Sequence, residues 1–270
     1  MIGGLSGDSR KTFVFDLDGV VYVDHTGVPG AGEALTTLER AGHQVLFATN
    51  NSWRSVDTVA DNIRRRTGYR ASAGAVITSA LAVADLLRDD GEICFVFGSK
   101  ELEQTLIAEG IEVTAEHTRA TTVVVGLDRG LSYQRLTSAV LAVRRGARFV
   151  ATNDDATYLA QEGQYPGTGA FVAAVERATG VDPVVCGKPN LPMQKLIEHR
   201  IEHPEVWVVG DSVETDIALA DRAGWGKILV LSGVTGPDMT ASTAPRPHHT
   251  INSIADLDAL MSAETNDVAG

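Results

Sequence analysis

Residues 11–22 read Lys-Thr-Phe-Val-Phe-Asp-Leu-Asp-Gly-Val-Val-Tyr, an apolar run that stops on two carboxylates, Asp16 and Asp18, and a glycine, Gly19. A run from Lys11 to Phe15 without polar alternation predicts a strand covered on both faces, as in a parallel sheet. Open α/β sheets gather their ligands at the carboxyl ends of such strands. Alternation along an extended chain then sends Asp16 and Asp18 to one side.

Outward from this stretch, strand and helix patterns alternate. After a Pro29-Gly30 turn, Ala34, Leu35, Leu38 and Ala41 recur at helical spacing, and Gly42 stands where a helix stops. Val45–Ala48 predicts a second buried strand, followed by Thr49-Asn50-Asn51-Ser52; Val56, Val59, Ala60 and Ile63 then mark a helix closed near Gly68. The rhythm returns at Val184–Cys186, Val206–Val209 and Ile228–Leu231, which predicts an α/β fold with a doubly wound parallel sheet. Between these halves lie expected strands at Ile93–Phe97, Thr122–Val125 and Arg148–Thr152. Helices are expected near Glu101–Glu109, Tyr133–Arg145 and Gly169–Thr179. The polar motifs fall outside this middle stretch. The expected organisation is therefore a discontinuous core, residues 1–79 and 183–270, with an inserted smaller α/β cap domain, residues 80–182. Thr235–His249 reads as a surface loop, and disorder is expected after Ser262.

With 270 residues, 44% hydrophobic and 21% charged, the chain can bury a sizeable core. Met1–Lys11 lacks the apolar run of a signal peptide. Ala80–Leu87 is interrupted by Asp85 and falls short of the roughly 20 apolar residues that cross a bilayer. No membrane partner is expected. The two cysteines, Cys94 and Cys186, sit in apolar runs and read as free buried thiols, which fits a cytoplasmic location. A formal net charge of -12 argues against nucleic acid, and Arg64-Arg65-Arg66 reads as a solvated helix face. An anionic substrate would need that charge overridden locally, by a metal ion, a lysine and backbone N–H groups.

Four clusters carry that chemistry. Asp16 and Asp18 suit a hard divalent ion with oxygen ligands, although Asp-x-Asp-Gly also describes a plain turn. Thr49–Ser52 suits phosphate oxygens, although on its own it reads better as the N-cap cluster of a following helix. Lys188 follows an expected strand and is either a surface lysine or an anion anchor. Asp211, Glu214 and Asp216 lie where a strand passes into a helix. Helix-dipole pairing accounts for Glu214 but poorly for Asp211, which precedes the helix at the sheet's carboxyl edge. Gly210-Asp211-Ser212 also contains the triplet of some serine esterases, but no Asp-x-x-His partner accompanies it. His248 and His249 lack carboxylates or cysteines at metal-ligand spacing and take no role.

In order, these clusters resemble the four motifs of haloacid dehalogenase-type phosphatases. Phe15-Asp16-Leu17-Asp18-Gly19-Val20-Val21-Tyr22 resembles the first, which implies Asp16 as the phosphorylated nucleophile and Asp18 as acid and base. Dehalogenases generally lack the second carboxylate, so Asp18 favours a phosphatase. Thr49-Asn50-Asn51 resembles the second motif and implies phosphate contacts. Lys188-Pro189 resembles the third, in which Lys188 neutralises phosphate and holds the nucleophile. The stretch from Gly210 to Asp216 resembles the fourth. It implies Asp211 as a Mg2+ ligand together with Asp16 and Asp18, and Asp216 as a residue orienting Lys188 or metal-bound water. Ser212 departs from the Arg or Asn common at its position.

Val125–Asp128, Ala151–Asp155 and Pro166–Ala170 resemble cap segments of the NagD-like, p-nitrophenyl phosphatase branch (subfamily IIA), whose cap lies between the second and third motifs. Asn153, Asp154 and Asp155 are candidates for contacting the leaving group, or form an Asx-rich turn. The resemblance implies a small phosphorylated metabolite as partner and a homodimer through the cap. Glycerol phosphate, phosphoglycolate, nucleoside monophosphates and pyridoxal phosphate all occur as substrates in the branch, and the sequence does not choose among them. Two other classes fit less well. A non-catalytic phosphate-binding or regulatory protein would not need Asp16, Asp18, Lys188 and Asp211 intact, and a phosphomutase would usually carry a helical cap between the first and second motifs.

Overall fold

The computed structural model describes residues 5, 9–130, 132–160, 162–236 and 244–267. Its elements begin with β1 (Thr12–Phe15), β2 (Tyr22–Val23), β3 (Thr26–Gly27), α1 (Ala31–Arg40), β4 (Gln44–Thr49), α2 (Val56–Thr67), β5 (Val76–Thr78) and α3 (Ser79–Leu87). They continue with β6 (Ile93–Phe97), α4 (Lys100–Ala108), β7 (Glu112–Val113), β8 (Thr122–Val125), α5 (Tyr133–Arg144), β9 (Arg148–Ala151), β10 (Thr157–Ala160) and β11 (Gly163–Pro166). The last are α6 (Thr168–Thr179), β12 (Val184–Val185), α7 (Leu191–Glu198), β13 (Val206–Gly210), α8 (Ala218–Ala223), β14 (Gly226–Val230), β15 (His249–Ile251) and α9 (Leu257–Asp267). The chain divides into two compact units, one of Met1–Thr49, Val56–Ile77 and Ile197–Gly270, the other of Asn50–Ser55 and Thr78–Leu196. No described helix is long and apolar enough to cross a membrane.

The first unit is built on a six-stranded sheet in the order β15-β14-β13-β1-β4-β5. β1 lies in its middle, parallel to β4 (Phe15 opposite Phe47) and to β13 (Phe15 opposite Val209). All four β1 residues are buried, as an apolar run without alternation requires. The chain winds from β1 outward through β4 to β5 and then returns to the other side of β1 at β13. The strand order therefore reverses between β1 and β13, where open α/β sheets leave a crevice at their carboxyl ends. Around β1 the core closes with aromatic contacts: the Phe15 and Phe47 rings are 6.3 Å apart, and those of Phe47 and Tyr69 are 6.0 Å apart. Helix α1 follows the turn at Gly30 and buries Ala31, Ala34, Leu35 and Leu38 on one face, the spacing its sequence prescribes.

The second unit has a five-stranded sheet, β12-β9-β8-β6-β7, with all four pairings parallel. Its core gathers Phe95, Phe97, Val123, Val125, Val143, Phe149, Val172 and Val175. This sheet corrects one sequence expectation. Val184–Cys186 does not join the core sheet: Val184 and Val185 pair with Val150 and Ala151, and the Cys186 N–H donates to the Ala151 carbonyl at 2.9 Å. A three-residue apolar run reads as a strand but does not say which sheet edge receives it.

Three further differences appear. The expected loop over Thr235–His249 ends in β15, which adds to β14 through Ile228 and His249; residues 237–243 lie outside the described residues. Disorder expected after Ser262 gives way to α9, which continues to Asp267; residues 268–270 are likewise outside. The antiparallel β10–β11 hairpin carried no expectation. Arg64 and Arg65 behave as a solvated face, both pairing with Asp61 on their own helix.

Because Phe47 is fully buried between Phe15 and Tyr69, Phe47→Ala is expected to cost about 3–5 kcal/mol. Urea unfolding checks this: the midpoint falls while the slope stays unchanged.

Candidate active site

In the first unit, two carboxylates flank the point where the strand order reverses. Asp16 follows β1, its N–H donating to the Val209 carbonyl at 2.9 Å, and Asp211 follows β13. Gly19, with φ of 86°, lies so close that a methyl group there would overlap the Asp211 carboxylate, so both its conformation and its size require glycine. The loop after β14 completes the surround. Ser232 donates its hydroxyl to the Gly19 carbonyl at 2.6 Å, and the Val234 N–H donates to Asp211 Oδ2 at 2.7 Å.

A third carboxylate arrives through an irregular turn. Val213–Ile217 forms a π-helical turn before α8, with the Ser212 hydroxyl accepting from the Thr215 N–H at 3.3 Å. Such turns recur at functional sites because the wider loop re-aims a side chain. Here Asp216 is turned back, buried, and accepts from the Ser212 N–H at 3.1 Å. Asp16, Asp211 and Asp216 each offer one oxygen, all within 4.8 Å of one another. Ser212, the residue that departs from the family pattern, thus serves as the cap of this turn.

The grouping differs from the one expected. The sequence reading places Asp18 with Asp16 and Asp211 and keeps Asp216 behind them; the structure groups Asp216 with Asp16 and Asp211 and leaves the Asp18 side chain exposed. Regular alternation stops at Phe15, where β1 ends. The Val21 and Tyr22 N–H groups donate to the Leu17 carbonyl at 2.9 and 3.1 Å, closing a turn that starts at Leu17 and carries Asp18 out of strand geometry. The three grouped carboxylates fit a small hard cation. They are all oxygen donors, and ligands at 2.0–2.1 Å on opposite sides of such an ion stand about 4.2 Å apart. Thr49 ends β4 in the same unit and is buried.

The second unit holds the other motif residues. Lys188 is buried, and its backbone is bracketed by the Asn50 side chain, whose Oδ1 accepts from the Lys188 N–H at 2.7 Å. Asn153 donates to the Asn50 carbonyl at 2.7 Å, and Asp155 accepts from the Asn50 amide at 3.1 Å. Asp154 is exposed. The Asn51 side chain accepts from the Trp53 N–H at 3.1 Å, an Asx turn. The motif does not open a helix directly, because α2 starts only at Val56.

Sequence reasoning missed Trp53, which carries the guanidinium of Arg54 at 4.4 Å and that of Arg129 at 4.5 Å from its ring. Trp53 and Arg129 border a cavity of about 240 Å³ lined also by Ser99, Lys100, Glu101 and Leu127. A lone Trp-Arg pair gives no sequence signal without its distant stacking partner. Burial pushes the thiols of Cys94 and Cys186 up to about 12, so both stay protonated and neither serves as a nucleophile.

Comparison with known proteins identifies the family of the chain. A haloacid dehalogenase-like hydrolase family model matches residues 13–112, and a HAD-hydrolase-like model matches residues 185–257. An acid sugar phosphatase of Staphylococcus saprophyticus is 33% identical over 251 residues, covering 92% of this chain and 96% of that protein. NagD from E. coli K-12 superposes with a TM-score of 0.84 at 31% identity, covering 92% of this chain and 98% of that one. A glycerol phosphate phosphatase of Mycobacterium tuberculosis in complex with magnesium gives a TM-score of 0.86 at 33% identity, covering 92% and 77%. The chain belongs to the haloacid dehalogenase-like hydrolases, in their NagD-like branch of phosphatases.

If the three grouped carboxylates hold a cation, MgCl2 raises the melting temperature of the wild type, and the rise grows with the logarithm of its concentration above the dissociation constant. Asp211→Ala is expected to lose that rise, read by differential scanning fluorimetry with and without MgCl2.

Proposed function

We propose that this phosphatase is magnesium-dependent and hydrolyses a small phosphate monoester through a phosphorylated Asp16. The observation that carries the reading is the convergence of Asp16, Asp211 and Asp216 at the reversal point of the first sheet. Asp16 and Asp211 would hold the ion, with Asp216 beside them. When bound, magnesium supplies positive charge that offsets the negative charge gathering on the transferred phosphoryl oxygens.

The chain's own residues carry the steps. A carboxylate oxygen of Asp16 attacks phosphorus in line with the ester oxygen, and the bond between phosphorus and that oxygen breaks. Asp18 gives the departing oxygen a proton; its exposure suits a group that must exchange protons with water in each cycle. Asp18, now a carboxylate, then takes a proton from water as that water attacks phosphorus, releasing inorganic phosphate and restoring Asp16. The family pattern gives Lys188 the task of neutralising phosphate, and the Thr49 hydroxyl with the following backbone N–H groups the task of holding its oxygens.

The substrate class is supported by the relatives named above, one a sugar phosphatase and another a glycerol phosphate phosphatase. Sugar phosphates and glycerol phosphate are small metabolites, and a chain of net charge -12 is ill suited to a nucleic-acid substrate.

Asp16→Asn is nearly isosteric but cannot donate the carboxylate electron pair. Release of phosphate from 4-nitrophenyl phosphate is expected to fall at least about 10³-fold, with an unchanged circular dichroism spectrum. Turnover near the wild-type rate would overturn the assignment.

A further inference from the structure

We propose that Asn50 is a positioning residue for Lys188, and that Asp155 fixes the orientation in which its amide does this. The inference rests on the role given to Lys188 above. The Asn50 side chain meets Lys188 as a neighbouring strand would: Oδ1 accepts from the Lys188 N–H at 2.7 Å, and Nδ2 donates to the Lys188 carbonyl at 3.2 Å. The second hydrogen of Nδ2 goes to the Asp155 carboxylate, with oxygens at 3.1 and 3.2 Å. An asparagine amide has two donor hydrogens, and both are committed. The expected phosphate contact by this side chain is therefore not available in this geometry.

The orientation of the amide is decided by chemistry. The Lys188 N–H requires an acceptor and the Asp155 carboxylate requires a donor, and only one of the two flips of Asn50 satisfies both. The backbone of Asn50 is held as firmly. Its carbonyl accepts from the Ser79 hydroxyl at 2.6 Å and from Asn153 Nδ2 at 2.7 Å. On the Lys188 side, Gly187 packs so closely that an added Cβ would stand 2.6 Å from Asn50 Oδ1 and 2.8 Å from the Thr152 carbonyl. Lysine is a point charge on a flexible stem, so a fixed backbone is what narrows the volume its ammonium explores. Asn153 and Asp155, expected to reach the leaving group, both contact Asn50 here.

The test compares Asn50→Asp, Asp155→Asn and the double variant, all assayed with 4-nitrophenyl phosphate and magnesium and checked by circular dichroism. In Asn50→Asp two carboxylates face each other and the bond to the Lys188 carbonyl is lost; kcat is expected to fall about 10²-fold. In the double variant the amide introduced at position 155 donates to the carboxylate introduced at position 50, so kcat is expected to recover to within about 5-fold of Asp155→Asn. In a Lys188→Met background, Asn50→Asp should cost no more than about 3-fold further, because the group it positions is gone. Should Asn50→Asp not fold, Asn50→Ser replaces it, with the same expected loss and the same small effect in the Lys188→Met background. Wild-type kcat in the folded Asn50 variant, absent rescue, or full additivity with Lys188→Met would each overturn the inference. Wild-type activity of Lys188→Met itself would instead overturn the role given to Lys188.

Discussion

Three carboxylates held within a few ångströms of one another repel, and the first unit is organised around keeping them together. Asp16 hangs from the central strand, Asp211 from its neighbour across the reversal point, and Asp216 from a π-helical turn that bends it back. Backbone donors meet them: the Val234 N–H at Asp211 and the Ser212 N–H at Asp216. Gly19 lets the β1 turn close against Asp211. An arrangement that concentrates negative charge at a sheet's carboxyl edge is costly unless a cation shares it, and that cost is the physical argument for a metal-assisted reaction.

The second unit holds the backbone of a buried lysine, Lys188. Lys188 would be a loosely held point charge on its own. A short run from Asn50 to Ser52 ties it to the loops that end the second sheet: Asn50 to the Lys188 backbone, Asn153 and Asp155 to Asn50, and the Ser52 and Thr152 hydroxyls to each other at 3.1 Å. These groups satisfy one another, the condition under which a buried polar network rigidifies rather than destabilises.

Much of this was legible in the residues. The run before Asp16 has no polar alternation and became a fully buried central strand; the helix from Ala31 followed its apolar spacing. Asp211 stood out because helix-dipole pairing accounts poorly for a carboxylate that precedes the helix at the sheet's carboxyl edge. Other features were not legible, for local reasons. Two-residue pairing put Val184 and Val185 on the second sheet, a choice made by an edge vacancy far away in sequence. Asp216 joined Asp16 and Asp211 because of a π-helical turn, which no periodicity announces. The partners of Asn50 lie 105 and 138 residues away, so its bonds to Asp155 and Lys188 left no local signal in the sequence. The stacking of Arg129 on Trp53 was invisible for the same reason, since the two lie far apart in the chain.

The central claim is that Asp16 itself carries the phosphoryl group. The most direct measurement is acid quenching of Asp18→Asn during turnover of 4-nitrophenyl phosphate, whose leaving group departs without a proton so that only the second step is slowed, followed by peptide mapping by mass spectrometry. The account predicts a phosphoryl group on the peptide containing Asp16, dependent on magnesium and lost in Asp16→Asn. A phosphoryl group on any other residue would contradict it.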